Sequence, residues 1–495
     1  MELQLGIDRL VFVVAVLLLG SVLVAALAAR FGDRLRIPSA LLFLGLGMAV
    51  GVDGAGWLDL DDPALVRDLG AIALLFILFE GGLTTKPTDL RLAALPGSLL
   101  ATVGVALTAG VTGLGVWLLF GVDLVTALLL GAVVASTDAA AVFSMMRTTA
   151  LPRRVSAILR MESGANDPFA VMLTVGLIAT VQGGTTPGQW VGFATLQLLG
   201  GTFVGVAIGL AGVWLLRRID LGVEGLYPVV AAAVAGVAYG VAAWVGASGF
   251  VAVYLAGLLI GALVPRHRRS VLGFHEALAN TAEIGLFLLL GLLVVPSKLP
   301  GVAPQALAVA LLLVLFARPA AVALCSLGSR LGWREQAVVT WAGLRGAVPI
   351  VLSTFPYTAG VDGGAVLFDI VFFVVLVSVL VQGLSLQPLV RRLGMASERP
   401  AWSPVAEALP LDGIDVDMVE LTVTEELVVA GQRLRDLPGL GPARVAAIVR
   451  GHRVVVPSGD TRLLTGDVLL LTVPREHDLV ARLTAWARGE DRPPR

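Results

Sequence analysis

The sequence predicts an all-α polytopic membrane protein of about thirteen spanning helices, built as an inverted repeat with two broken crossing helices and followed by a small α+β unit. Three observations predict this. Of 495 residues, 57% are hydrophobic and only 14% charged, with a mean hydropathy of +0.90, whereas a soluble chain of ordinary composition carries about 25% charge. Apolar runs of membrane-crossing length, separated by short polar breaks, continue to about residue 390. After Arg392 the composition turns polar and proline-bearing.

The spans fall at 10–29, 38–52, 66–83, 96–119, 122–147, 153–181, 189–216, 225–245, 248–264, 272–295, 302–328, 335–356 and 364–390. The first run is too long for a signal-peptide core and is followed by Arg30, Arg34 and Arg36, so it reads as a spanning helix and not a cleaved leader. Every second loop is basic: after that group come Lys86/Arg91, Arg147/Arg153/Arg154, Arg217/Arg218, Arg266/Arg268/Arg269, Arg330/Arg334 and Arg391/Arg392. The intervening loops hold almost no base apart from Lys298, and the first of them is acidic, with Asp53, Asp59, Asp61 and Asp62. Basic loops stay in the cytoplasm, so the amino terminus is expected outside and the carboxyl terminus inside the cell (inner) membrane. Thirteen spans divide as six, one linking and six, and the second set starts on the opposite side from the first. That is the layout of an inverted-repeat transporter, in which the site forms where helices break.

The fifth member of each half is interrupted. The fifth span carries Ala135-Ser136-Thr137-Asp138 and the twelfth carries Gly343-Leu344-Arg345-Gly346-Ala347-Val348-Pro349. Asp138 is placed to cap the half-helix after it, and Thr137 to offer a hydroxyl or carbonyl to an ion. The glycines and Pro349 let the twelfth span unwind, while Arg345 is placed to neutralise negative half-helix ends or to pair with an acid.

The sixth span carries Met161-Glu162-Ser163-Gly164-Ala165-Asn166-Asp167-Pro168. A charge at the bilayer centre costs roughly 3 kcal/mol or more, so it is retained where it faces a partner, a cavity or an ion path. Glu162 lies one turn from Asn166 and Ser163 one turn from Asp167, which puts all four polar side chains on one face. Pro168 lacks an N–H and loosens the carbonyl of Gly164. Carboxylate, hydroxyl and freed carbonyl are hard oxygen donors, suited to an alkali cation or a proton. One carboxylate with two mutually exclusive partners, proton and cation, couples their movements.

Arg318, followed by Pro319, is a second intramembrane base, placed either to pair with the acids or to sit between the halves. Glu80 and Glu283 also lie in or near spans. The glycines from Gly205 to Gly212 mark close helix packing. Cys325 is the single cysteine, and no zinc-type spacing or Walker motif is present, so no cofactor of the membrane part and no enzymatic activity is expected. The net charge of −1 carries no signal for nucleic acid, which is not an expected partner. A channel would need a filter-like stretch and an intramembrane aspartyl protease a Gly-x-Gly-Asp element; neither occurs.

The domains are expected at 1–393 for the membrane part, 394–406 for a linker and 407–490 for the cytoplasmic unit. Strand signals stand at Val419 to Val423, Ala443 to Val449, Arg453 to Val456 and Val468 to Val473, with a helix from about Arg475 to Arg488. So small a unit is expected to dimerise.

On Ser136-Thr137-Asp138, on Glu162 to Pro168 and on Gly343 to Ala347, the membrane part resembles the monovalent cation:proton antiporter-1 family, the NhaP-type and mammalian sodium/proton exchanger group. The resemblance implies an NhaA/NhaP-like antiporter fold, with a panel domain and a six-helix core that moves past it, and a homodimer in the lipid bilayer. It implies exchange of K⁺ or Na⁺ for H⁺, with Asp167 taking either the proton or the cation. Ser163, Glu162 and Thr137 would complete the ion site, Asn166 would hold Asp138, and Glu162 would pair with Arg345. Arg318 would match a second basic position of the family. The tail resembles the TrkA carboxy-terminal (RCK-C) module, on Gly431 to Leu437, Ile448-Val449-Arg450-Gly451, Val456-Pro457 and Gly466-Asp467-Val468-Leu469. That second resemblance implies a regulatory role, with a nucleotide or cyclic dinucleotide as a possible ligand, and favours K⁺ over Na⁺.

Overall fold

In a computed structural model the described residues are 19–20, 39–58, 62–85, 87–146, 151–183, 187–264, 267–329, 331–396, 408–410, 416–423, 429–437, 444–451 and 453–474. The chain divides into two units, Met1–Ala396 and Ser397–Arg495.

Among the described residues the regular elements of the first unit are all helices. Its helices are α1 (Ser39–Val50), α2 (Pro63–Thr84), α3 (Pro87–Leu99), α4 (Val105–Phe120), α5 (Leu124–Val133), α6 (Ala139–Met145), α7 (Arg153–Gly183), α8 (Pro187–Thr195) and α9 (Gly201–Arg218). There follow α10 (Leu226–Trp244), α11 (Gly249–Leu263), α12 (Arg268–Leu293), α13 (Leu299–Leu312), α14 (Arg318–Cys325), α15 (Trp333–Trp341), α16 (Ala347–Thr358), α17 (Gly364–Val377) and α18 (Leu384–Arg392). Seven described helical stretches are long and apolar enough by length and composition to cross a membrane, and four shorter apolar helices accompany them. The expected span 10–29 lies, apart from Leu19 and Gly20, outside the described residues.

Helix starts follow local chemistry. The Asp62 carboxylate accepts from the N–H groups of Ala64 (3.0 Å) and Leu65 (3.1 Å) ahead of Pro63, and Asp123 serves Val125 and Thr126 in the same way. These bonds satisfy donors that the first helical turn leaves orphaned. The expected span at 96–119 begins earlier, at Pro87, because Pro96 is accommodated inside the helix and a wide π turn, Leu100–Gly104, follows it. A second π turn, Leu313–Ala317, joins α13 to α14. These two turns occupy the fourth member of each half, and the two segments pack together, with Cys325 Sγ donating to Leu99 O at 3.5 Å.

Two packing groups result. In one, α2 lies against α11 and α12, α1 against α12, and α9 against α11 and α10. Glycines set these distances: a Cβ at Gly257 would stand 2.4 Å from Phe79 O, and one at Gly205 2.7 Å from Ala252 Cα. The glycine run from Gly205 to Gly212 is therefore a close-packing face, as its spacing predicts. In the other group α3 packs on α7, α4 on α5, α13 on α17 and α16 on α17. The groups meet where Val351 lies against Gly70 and where the Tyr254 ring lies against Gly164.

The second unit is a five-stranded antiparallel sheet in the order β1-β2-β5-β3-β4, with β1 Ala408–Pro410, β2 Val416–Thr422, β3 Arg444–Arg450, β4 Arg453–Val455 and β5 Val468–Pro474. Leu421, Val423, Val429, Ile448, Leu463, Leu469 and Leu471 form its core. β1 carries no signal in the sequence, being three residues that end in a proline at the sheet edge. The expected helix after Arg475 lies outside the described residues.

Candidate functional site

The fifth span breaks after Val133 and resumes at Ala139; the twelfth breaks after Trp341 and resumes at Ala347. The two breaks touch. The Asp138 N–H donates to Leu344 O at 2.8 Å, and the Arg345 guanidinium donates to the carbonyls of Ala135 and Ser136, both at 2.6 Å. A half-helix ends in carbonyls with no intrahelical partner, and a buried guanidinium carries five donors to serve them. Gly346 permits the approach: a Cβ there would stand 2.0 Å from an Asp138 carboxylate oxygen. Asp138 caps α6 as its position predicts, accepting from Ala141 N at 3.1 Å.

The long helix α7 presents its polar face to this crossing. Ser163 Oγ accepts from Ala139 N at 3.1 Å. Asn166 Nδ2 donates to Thr137 Oγ1 (2.7 Å) and to Thr137 O (3.1 Å), and the Thr137 hydroxyl donates to Glu162 at 3.2 Å. Asp167 is 7% exposed, and its carboxylate accepts from the Ser136 hydroxyl. Asn166 Oδ1 is buried with no hydrogen-bond partner.

Two expected pairings are corrected. Glu162 does not pair with Arg345. Its carboxylate takes both ends of the Arg318 guanidinium, with the Nη2 contact at 2.9 Å, and Arg318 also donates to Val339 O at 3.1 Å. Arg345 is committed to the carbonyls of the first break, whereas Arg318, at the head of α14 behind Pro319, faces the acid directly. Nor does Asn166 hold Asp138. It holds the preceding residue, Thr137, because Asp138 turns away to cap α6.

Ser136 is a site residue that the reading of single residues passes over. It stands beside Thr137 in the break, and the alternation of an extended segment is the signal that would have turned it to the side opposite Thr137. Ser378 and Gln382 carry no such signal in the sequence. They reach the second break from the turn Ser378–Gly383 that follows α17: the Arg345 N–H donates to Ser378 Oγ at 3.2 Å, and Gln382 Nε2 donates to Trp341 O at 3.2 Å.

Chemically, the cluster has three acids: Glu162, neutralised by Arg318; Asp138, whose carboxylate caps α6; and Asp167, whose hydrogen-bond partner among the described residues is a neutral hydroxyl. Glu80 and Glu283 are partly buried on α2 and α12, outside this network of bonds.

Residues 19–392 match the family described as the transmembrane sodium/hydrogen exchanger, and residues 418–485 match the TrkA-C domain. The chain is similar to the K⁺/H⁺ antiporter NhaP2 of Shewanella baltica (strain OS223), 37% identical over 462 residues covering 91% of this chain and 80% of that one. It is also similar to the K⁺/H⁺ antiporter NhaP of Alkalimonas amylolytica, 36% identical over 454 residues covering 90% and 78%. Its fold matches the solved sodium proton antiporter MjNhaP1 of Methanocaldococcus jannaschii, with a TM-score of 0.68 at 22% identity, covering 78% of this chain and 99% of that one.

Proposed function

The chain belongs to the sodium/hydrogen exchanger family, and from that premise we propose that it exchanges a monovalent cation, K⁺ in preference to Na⁺, for H⁺ at Asp167. The observation that carries this reading is the contrast between Glu162 and Asp167. Glu162 is locked in a two-bond ion pair, while the hydrogen-bond partner of Asp167 among the described residues is the neutral Ser136 hydroxyl. An acid held by a permanent counter-charge cannot give up one partner for another; an acid held by a neutral donor can. Ser163 and the carbonyl and hydroxyl of Thr137 lie in the same crossing and are the oxygens assigned to a dehydrated cation, directly or through water.

The preference for K⁺ follows the two named relatives and the TrkA-C unit; Na⁺ is the alternative, as in the solved structural neighbour. Because Asn166 stands beside Asp167 where a second acid would supply another titrating group, exchange is read as electroneutral and one for one. Alternating access moves the group containing α7 and both breaks past the group containing α2, α11 and α12, as an elevator. The protein works as a homodimer with its amino terminus outside and its carboxyl terminus in the cytoplasm. The TrkA-C unit regulates it, and a nucleotide or cyclic dinucleotide is the class of ligand to screen there.

The test is cation-induced collapse of a proton gradient in everted vesicles, with K⁺ compared to Na⁺ from pH 6.5 to 9. K⁺ is expected to collapse the gradient better than Na⁺, and Asp167→Asn to abolish the response at equal protein level. Exchange by Asp167→Asn would refute the site; a stronger response to Na⁺ would refute the cation.

A further inference from the structure

A break in a membrane helix strands backbone groups where no water reaches them. In the first break they are served by the sixth helix of the same half: Asn166 takes the Thr137 carbonyl and Ser163 takes the Ala139 N–H. The second break is served by the sixth member of its own half, the segment α17–α18. Between those two helices the backbone widens into a π turn, Ser378–Gly383, and Ser378 and Gln382, four residues apart, lie on one face of it, as residues at that spacing do along a helix. Ser378 donates to Gln382 Oε1 at 2.5 Å and accepts from the Arg345 N–H at 3.2 Å. Gln382 passes the bonding on, from Nε2 to Trp341 O at 3.2 Å. The result is a closed relay from the last residue of α15 to the approach of α16. The Trp341 indole is anchored by the same segment, donating to Ser385 Oγ at 2.9 Å.

Both relay residues are buried, at 3% and 2% exposure, in a segment otherwise made of Val, Leu and Phe from Val371 to Gln382. Polar contacts between membrane helices contribute about 0.6 kcal/mol each to stability on average, so folding alone is a weak reason to place a serine and a glutamine there. Their position relative to Arg345 supplies a stronger one. The backbone that Ser378 holds is the backbone of the residue whose guanidinium clamps Ala135 and Ser136, and Ser136 is the hydroxyl that meets Asp167. On the opposite side, Gly343 lies against Arg318, where a Cβ would stand 2.5 Å from Nε.

We propose that Ser378 and Gln382 are positioning residues for exchange: by fixing the Arg345 backbone they fix where the Ser136 hydroxyl meets Asp167. This rests on the reading of Asp167 as the exchanging carboxylate. The relay couples the repeats, so that the sixth helix of the second half sets the geometry of a site built mainly from the first.

The experiment uses the full-length protein in everted vesicles, with Ser378→Ala, Ser378→Thr and Gln382→Met compared with the wild type and with Asp167→Asn. For each, the apparent KM for K⁺ and the pH of half-maximal exchange are measured. At about 0.6 kcal/mol, losing one such contact is worth about a factor of three in an equilibrium, so Ser378→Ala and Gln382→Met are expected to raise KM about three-fold and to displace the pH midpoint by about half a unit. Ser378→Thr, which keeps the hydroxyl, is expected to match the wild type in both. Less protein with unchanged KM and pH midpoint, or loss of both Ala and Met variants from the membrane, would make the pair a fold support and overturn the proposal. So would wild-type behaviour of Ser378→Ala alongside an inactive Asp167→Asn, which leaves the Asp167 reading intact; an active Asp167→Asn would instead remove the reading beneath it.

Discussion

The ion pair between Glu162 and Arg318 makes a quantitative demand on any mutant series. The two side chains are 1% and 3% exposed and share two hydrogen bonds, while Arg318 gives a third to Val339 O. Removing one partner from a buried pair leaves an uncompensated charge and costs about 3–5 kcal/mol, whereas replacing both by neutral groups of similar shape is often close to neutral. Arg318→Met and Glu162→Gln should therefore each lower stability by about 3 kcal/mol, and the double variant should recover much of that, giving a coupling of about 2–3 kcal/mol. Arg345 is the control. Its guanidinium serves the Ala135 and Ser136 carbonyls, so Arg345→Met combined with Glu162→Gln should couple by less than about 1 kcal/mol. The assay is unfolding of the detergent-solubilised protein followed by tryptophan fluorescence and by retention on size exclusion, for all singles and both doubles. Additive losses for Glu162 with Arg318, or a larger coupling of Glu162 with Arg345, would refute the pairing.

Other outcomes follow from the same geometry. Gly346→Ala drives a methyl to 2.0 Å from the Asp138 carboxylate, so it should abolish exchange and lower the yield of folded protein, read by vesicle transport and by the size-exclusion profile. In the TrkA-C unit, Asp467 is buried, which works to raise its pKa; the Arg450 hydrogen bonds (2.8 and 2.9 Å), the Leu464 N–H and the Arg450 charge outweigh this and hold it below the usual carboxylate range. A depressed carboxylate contributes stability that is fully present above its unfolded value of about 3.9 and is lost as pH falls through the folded value. Amide protection of Val468–Pro474 in the full-length chain, corrected for intrinsic exchange, should be flat from pH 7 to about 5 and fall below about pH 4, and Asp467→Ala should remove about 2 kcal/mol of it at pH 7.

Much of this was legible in the chain because the membrane makes polar groups conspicuous. Glu162, Asn166 and Asp167 stand out in a greasy run, and helical spacing alone places them on one face, where the structure has them. Both breaks announce themselves by Thr137-Asp138 and by the glycines around Arg345. Which base takes which acid was not legible. Arg318 and Arg345 lie in different elements, and their reach is decided by how the two breaks cross, a geometry set by Gly346 against Asp138 and by Gly343 against Arg318. Ser136, Ser378 and Gln382 escaped for another reason. An uncharged hydroxyl or amide in a membrane span is common helix glue, and only its hydrogen-bond partners separate glue from a site.

The two halves divide the labour unevenly, and this bears on how the exchanger couples its ions. The first half supplies the acids and the hydroxyl that meets Asp167; the second supplies both guanidinium groups, one neutralising Glu162 and one clamping the first break. Each sixth helix holds the break of its own half, by Asn166 and Ser163 in one case and by Ser378 and Gln382 in the other. The arginines then tie the halves together across the crossing. On the elevator movement proposed above, a core bound in both directions would move as one body, and the carboxylate would reach either side of the membrane with its hydroxyl and carbonyl neighbours in place. That is the condition for strict exchange: if the breaks moved independently, Asp167 would change sides without its ligands and proton leak would replace antiport. Disturbing the ties from the second half should accordingly uncouple proton flux from cation flux before it abolishes either, a result visible as gradient decay without added cation.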